Sequence, residues 1–405
     1  MVTFKVNREK ALDAIVVLAL ILNSGGNYLV RNIFIYFLIC IMLLAKRKRF
    51  TKDNVKTFVA LIIYFFLNIC VTNTCPPIYQ QLLTLVVRIT GCLIIADNIG
   101  VEQFKNTYIN VMKFLCIVSL FWFSLICVNI MPPFLDCSDY LYASIFQTVG
   151  FTLNTRRNAG IFGEPGLFQM YINLALVFLA YNKTIQLNKK RKIAALYAVT
   201  ILSTGSAMGL IVLAVVLLIL FFQNKNIYKI SLPKKQKIAV FLMIAIVVLL
   251  FEQMTGTIQE FITSWNSYAS RHDDTILALF ITKDYPLFGV GVGNDVSELW
   301  TSYFPRIRGI AKYGYDHLDD LAQSNGLADC LFTAGIPFTL YYMYKVTKSY
   351  FNLLGVNNTF EKILFILILV LCFMNEPYML TPFFLLMLFH IKPINTVKRF
   401  KDDTK

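Results

Sequence analysis

The chain alternates long apolar runs with short polar ones, a pattern that predicts membrane-crossing helices rather than a soluble core. Twelve runs stand out, near 11–23, 28–45, 57–71, 81–97, 113–131, 165–182, 193–205, 207–222, 238–252, 325–344, 362–375 and 378–391. Several are shorter than the roughly 20 residues that cross a bilayer, so those helices are expected to borrow flanking positions. Two connections break the rhythm, at 132–164 and 252–324. The expected fold is an all-α polytopic membrane protein with about 12 transmembrane helices and a large extracytoplasmic loop late in the chain. Helices 1–9 would occupy 1–251, with an outer loop at 132–164. The large loop would occupy 252–324, and helices 10–12 with a cytoplasmic tail 325–405.

Composition agrees: 57% of the 405 residues are hydrophobic and mean hydropathy is +0.62, well above a soluble domain. Charge then gives the chain a direction. Of 38 Lys and Arg, 29 fall in alternate connections and ends: 1–10, 46–56, 97–113, 183–192, 223–237, 345–362 and 392–405. Short segments rich in Lys and Arg stay cytoplasmic, which puts both termini inside. The net charge of +15 therefore reports topology and does not point to nucleic acid. The opposite connections hold eight cations against fifteen carboxylates, yet six of the eight are Arg: Arg31, Arg156, Arg157, Arg271, Arg306 and Arg308. An acidic outer face that keeps forked guanidinium groups suggests recognition of phosphate.

Other features narrow the reading. Lys5, Arg8 and Lys10 precede the first apolar run as in a secretory signal, but no small-x-small cleavage site follows, so an uncleaved helix is expected. Seven of nine Cys lie within apparent spans and act as small apolar residues; Cys75 and Cys137 fall in outer connections and could pair. With no CxxC and no His/Cys cluster, no metal site and no cofactor are expected. The 252–324 loop carries eleven aromatic residues, among them Trp265, Phe288 and Trp300, a density that argues for packed structure or sugar stacking over disorder. Short helices are expected at 257–269, 272–282 and 295–303, with a turn beginning at Pro286.

Three constellations carry candidate chemistry. The first, Arg156-Arg157 through Phe162-Gly163-Glu164-Pro165-Gly166, leads straight into a span. Pro165 is suited to a first helical position, and the free amides of that helix start, with two Arg beside them, would cradle a pyrophosphate. Glu164 at the same edge either accepts a proton from a sugar hydroxyl or complements the helix dipole and the Arg pair. The second is Arg271-His272-Asp273-Asp274 before the glycine run Gly289-Val290-Gly291-Val292-Gly293, which lacks the GxGxxG spacing and instead permits close backbone approach. The third is Asp316-His317-Leu318-Asp319-Asp320 followed by Ser324-Asn325 and Asp329. These acids are read as solvated, with a divalent-cation site as the alternative. Arg88, inside a span, needs a partner or a watery cavity. Ser203 to Gly209 is expected to bend the chain, and Glu376-Pro377 to add a carboxylate at an outer turn.

These segments together resemble the O-antigen polymerase and ligase superfamily. Arg157…Gly160-x-Phe162-x-Glu164-Pro165 resembles the segment those proteins place before a central span, and Thr204-Gly205-Ser206 their Ser/Gly-rich turn. Arg271 followed by Pro286-x-x-Gly289-x-Gly291 resembles the family's loop start, and Ser324-Asn325-x-Leu327 with Gly335-Ile336 its loop end. Glu376-Pro377 resembles a late motif of the polymerases. Ligases of the family usually have His before the matching Asn, whereas this chain has Ser324, which tilts the resemblance toward a polymerase. The resemblance implies glycosyl transfer at the outer face of the bacterial cytoplasmic membrane, from polyprenyl-pyrophosphate-linked oligosaccharides, without a metal. It implies Glu164, Arg157 and Arg271 as catalytic residues and Arg156, Arg306, Arg308, His317, Asn325 and Glu376 as substrate-binding ones. Membrane lipid is an expected partner, and a chain-length regulator an open one. The rival readings are a ligase with a lipid-core acceptor and a lipid-linked oligosaccharide flippase. A flippase should have evenly short loops and cations deep in its spans, where this chain has only Arg88.

Overall fold

The structure is a computed structural model that describes residues 8–26, 31–47, 49–72, 78–130, 135–137, 140–144, 147–152, 155–223, 265–292, 302–303, 305–307, 309–310, 325–356, 359–375 and 379–391. Its helices are α1 (Arg8–Gly25), α2 (Ile33–Arg47), α3 (Lys52–Thr72), α4 (Ile78–Asn98), α5 (Val101–Cys127), α6 (Pro165–Tyr181), α7 (Leu187–Ser203) and α8 (Ala207–Gln223). After these come α9 (Trp265–Asp284), α10 (Gly326–Leu354), α11 (Thr359–Asn375) and the short α12 (Pro382–Leu386). Ten of the twelve apolar runs overlap one of these helices, although α5 begins 12 residues before its run and α10 ends 10 residues after its own. The run at 238–252 lies outside the described residues.

The last run departs from expectation. Instead of a span over 378–391, the chain forms the five-residue α12 flanked by turns. Pro382 can start a helix but blocks one from arriving through Thr381. The segment is nonetheless buried from Phe383 to Phe389, because it wedges between α1 and α4 and stacks on α6. Among the described helices, α3 and α5 are long and apolar enough to cross a membrane, and α2 and α6 are apolar but shorter. A twelve-span count is not reached on that measure.

Apolarity faces two ways. α6 is buried around its whole circumference from Leu167 to Ala180, so it is the central helix. By contrast, α2, α3 and α5 turn large apolar side chains outward: Phe34, Leu38, Phe66, Phe114 and Phe121 are each more than half exposed. Contiguous apolar surface of that kind belongs to a protein whose solvent is partly lipid.

The long connection 132–164 holds a four-stranded antiparallel sheet in the order β1 (Leu135–Cys137), β2 (Tyr140–Ser144), β3 (Gln147–Thr152), β4 (Thr155–Gly160). This sheet was not expected from the sequence. Its strands average about five residues and lack a clean apolar–polar alternation, so β-propensity gave little signal. The connection 252–324 contains α9, which runs unbroken through the boundary at 270–271 where two shorter helices were expected. Cys75 lies outside the described residues, so the Cys75–Cys137 pairing stays an expectation.

Candidate functional site

Strand β4 separates the paired arginines. Consecutive residues on a strand point to opposite faces, so Arg156 and Arg157 diverge. Arg156 reaches back and donates to the Ile126 carbonyl at the end of α5. Arg157 points toward the α7–α8 turn, where its Nε donates to the Thr204 carbonyl at 3.0 Å and its stem packs on Gly205. The pair therefore does not act as one clamp; Arg157 alone joins the turn.

Beside Arg157, Asn158 is fully buried and ties four elements together. Its Oδ1 accepts from Ser119 Oγ of α5 at 2.7 Å, Gln147 Nε2 of β3 at 3.0 Å and the Gly160 amide at 3.0 Å. Its Nδ2 donates to Ser203 Oγ of α7 at 2.9 Å. A register shift opposite Thr148 and Val149 leaves Ala159 as the extra residue of a bulge, which turns the strand end toward α6. Sequence reading missed Asn158, because an Asn in a polar loop carries no signal until its neighbours are known.

The segment after β4 is clamped. Gly160 has φ +57°, and a β-carbon there would sit 2.9 Å from the Phe168 ring. Phe162 stacks on Phe168 and Tyr171 with centroids 5.1 and 5.0 Å away. It also bridges Gly26, while the Gly163 amide donates to the Gly25 carbonyl at 3.2 Å. Glu164 follows as the residue capping α6, with Pro165 in the first turn. Its side chain makes no capping hydrogen bond, and among the described residues its carboxylate has no hydrogen-bond or ion-pair partner. Of the two readings open from sequence, a hydrogen-bonded cap is not formed, while Glu164 still stands at the positive end of the α6 dipole.

The turn at Thr204-Gly205-Ser206 brings a second helix start to this end of the bundle. Gly205 has φ +55°, and Ser206 Oγ accepts from the Gly209 amide in the first turn of α8 at 3.3 Å. α6 and α8 pack side by side, with Gly209 against Gln169 and its carbonyl accepting from Asn173. Two helix starts and the Arg157 guanidinium thus share one end of the protein, an arrangement that attracts anions.

One further arginine approaches the same segment, and another is buried within α4. Arg31 donates to the Gly26 carbonyl at 3.3 Å, directly behind the Gly26–Phe162 bridge. Arg88 of α4 has a buried Nε with no hydrogen-bond partner, and its charge repels that of Arg31. Among the described residues neither makes an ion pair. The sequence signal for Arg88 was present, a cation within an apolar run; what it faces was not.

The remaining expected site residues lie elsewhere. Asn325 caps α10: its Oδ1 accepts from the Leu327 and Ala328 amides, and its Nδ2 donates to Thr275 Oγ1 of α9 at 3.1 Å. Arg271 lies one turn before Thr275 on α9, so Arg271 and Asn325 belong to one cluster and Arg157 and Glu164 to another. His272 Nδ1 is 2.8 Å from the buried carboxylate of Asp273, so that acid is engaged within its own helix. Arg306 is exposed; it pairs with Asp284 and lies 5.1 Å from the Tyr303 ring centroid. Arg306 first, then the Tyr303 hydroxyl, hold the Asp284 carboxyl below its ordinary pKa. Arg308, His317 and Glu376 lie outside the described residues, as does the whole 316–320 acid cluster.

The glycine run serves backbone packing. Gly289 has φ +63°, and a β-carbon there would fall 2.1 Å from the Phe332 carbonyl oxygen. The Val290 amide donates to that oxygen at 2.7 Å, and the Ile336 amide to the Pro286 carbonyl at 3.0 Å. α10 opens at Gly335 (φ 76°, ψ 174°) to receive the segment, and Tyr64 and Asn68 of α3 bond carbonyls on both sides of the junction. A cleft of about 470 Å³ borders it, lined by Thr72, Tyr285, Pro286, Phe288, Ser302 and Tyr303 among others. Aromatic faces beside hydroxyls suit a sugar ring.

Residues 193–343 match the family described as O-antigen ligase. The matched stretch runs from α7 into α10 and holds Arg271, the glycine run and Asn325; Arg157 and Glu164 precede it. No curated protein and no solved structure matches the chain. The match supports membership of the O-antigen polymerase and ligase superfamily, and the outward apolar helices support a membrane protein.

Proposed function

We propose that this member of the O-antigen polymerase and ligase superfamily is the polymerase of a surface polysaccharide. It joins polyprenyl-pyrophosphate-linked repeat units at the outer face of the bacterial cytoplasmic membrane. The observation that carries the reading is the meeting of Arg157 with the starts of α6 and α8, beside a Glu164 carboxylate that nothing in the described structure engages.

The chemistry follows from charge. The anomeric carbon–oxygen bond to the pyrophosphate breaks, its electron pair leaves with the pyrophosphate, and a hydroxyl of the next lipid-linked unit forms the new bond. Negative charge grows on the departing group. Arg157 and the helix-start amides stabilise it, with Arg31 behind the same segment, and no metal is needed for that role. Glu164 takes the hydroxyl proton. Arg271 and the aromatic cleft beside Gly289 belong to the second cluster and hold the glycan chain. Arg156, Arg306 and Asn325 are bonded to protein groups, and in this reading they shape the site.

Arg157→Ala should lower transfer by about 10²–10³-fold, the effect of one preorganised donor to a developing oxyanion, or about 2–4 kcal/mol. Glu164→Gln should lower it by about 10²-fold or more. Both chains should still insert in the membrane, and normal activity in both would sink the assignment. A second reading, ligation of finished glycan to a lipid core, is favoured by the matched family's description. Deleting the gene and sizing surface and lipid-linked glycans separates the two. Single repeat units on the surface with the ladder gone mean a polymerase. Long glycan stranded on the polyprenyl carrier means a ligase, and single units trapped inside mean a flippase.

A further inference from the structure

We infer that the crook between α10 and α11 is a binding site for an anionic phospholipid of the cytoplasmic leaflet. α10 ends at Gly355, whose left-handed conformation (φ 64°) reverses the chain; the Gly355 and Val356 amides both donate to the Phe351 carbonyl. The reversal leaves a cleft of about 800 Å³ lined by Met343, Tyr344, Lys348, Phe351, Val356 and Lys362 among others. One wall is therefore apolar and the rim is cationic.

Neutral groups alone meet the two cations among the described residues, with Lys348 Nζ donating to Tyr344 Oη at 3.4 Å. Among the described residues neither Lys348 nor Lys362 makes an ion pair. Lys348 lies over the Tyr344 ring and Lys362 over the Phe351 ring, with Nζ 5.6 and 5.7 Å from the centroids. The neighbouring carboxylate, Glu361, instead accepts from Tyr181 Oη at 3.0 Å. Lys362 also stands in the first turn of α11, where unpaired helix amides already carry positive charge. A cation in that place is unfavourable by itself and becomes favourable when an anion sits between it and Lys348.

The occupant must therefore carry an anionic phosphate for the rim and acyl chains for Met343, Phe351 and Val356. A phospholipid with net negative charge meets both needs, and basic pockets between helices on the cytoplasmic side are where such head groups bind. The side rests on the topology read from sequence, in which 345–362 is an inner connection rich in Lys. Glu361 beside it meets Tyr181 at the last residue of α6, the opposite end of that helix from Glu164, so the site is distinct from the proposed transferase centre.

The test uses the full chain purified in a zwitterionic detergent, with melting followed as lipid is added. Phosphatidylglycerol should stabilise the protein more than phosphatidylcholine. Lys348→Gln with Lys362→Gln should weaken the apparent phosphatidylglycerol affinity by roughly thirtyfold, taking each lysine near an anionic lipid at about fivefold. The Lys348→Arg, Lys362→Arg chain should keep it. Equal effects of the two lipids, or an unchanged affinity in the Gln chain, would overturn the site. Equal stabilisation by inorganic phosphate would overturn the lipid as its source. Lys348→Cys, labelled from the outer face of intact membranes above the parent's background, would overturn the leaflet assignment while leaving head-group binding intact. None of these outcomes depends on transfer activity, so the proposed function can fail without this site and the reverse.

Discussion

Replacing Asn158 by Ala removes the one side chain that holds β3, β4, α5 and α7 in register behind Arg157. The cost can be worked bond by bond. The Gly160 amide loses its bond to Oδ1 and stays buried, a penalty of about 1–3 kcal/mol. Ser119 Oγ and Gln147 Nε2 each lose a bond of roughly 0.5–1.5 kcal/mol net, although Gln147 keeps its contact with the Thr148 carbonyl at 3.1 Å. Ser203 keeps its bond to the Thr200 carbonyl, so its loss is small. The total is about 2–6 kcal/mol, large for one polar substitution. Unfolding of the purified chain in a mixed SDS and zwitterionic detergent series would show it as a lower midpoint. Transfer activity should fall with it under conditions where the variant is still folded, because Arg157 is the next residue along the strand. Asn158→Asp keeps the acceptor oxygens for Gly160, Ser119 and Gln147 but cannot donate to Ser203 and buries a charge, so it should lower the midpoint as well. An Ala variant with an unchanged midpoint and a normal glycan ladder would refute the reasoning.

Other outcomes follow from single contacts. Gly335→Ala places a β-carbon 2.5 Å from the Leu287 carbonyl oxygen at a residue with φ 76°, and should cost at least about 2–3 kcal/mol in the same unfolding series. Asn325→Ala removes a helix cap of about 1 kcal/mol and the bond to Thr275, so hydrogen exchange at the start of α10 should quicken while the middle of α6 is unaffected. Asp284 has a folded pKa depressed below the ordinary 3.8 by Arg306 and Tyr303. A depressed carboxylate stabilises above its unfolded pKa and loses that contribution as pH falls through the folded value. Proteolysis at 302–307 should therefore quicken as pH drops below about 4, and Asp284→Asn should remove that dependence.

The order of helices was legible because a bilayer imposes a length and an apolarity that composition alone can meet. That is why ten of twelve runs landed on helices, and why Pro165 marked the start of α6 to the residue. Lys and Arg likewise sorted themselves by connection without reference to any contact. Tertiary structure decided the rest. Pairing of β1–β4 depends on partners across the strand, and the burial of 383–389 without a full helix depends on a slot between α1 and α4. The roles of Arg156 and Arg157 diverge because adjacent strand residues face opposite sides, which an Arg-Arg pair in text does not reveal. Asn325 caps α10 and bonds Thr275 of α9, 50 positions away, a contact that exists only once the two helices pack. Sequence by itself determined which segments avoid water, since that is a property of each segment's own side chains. Which charges share a site is a property of pairs distant along the chain, and only packing could bring them together.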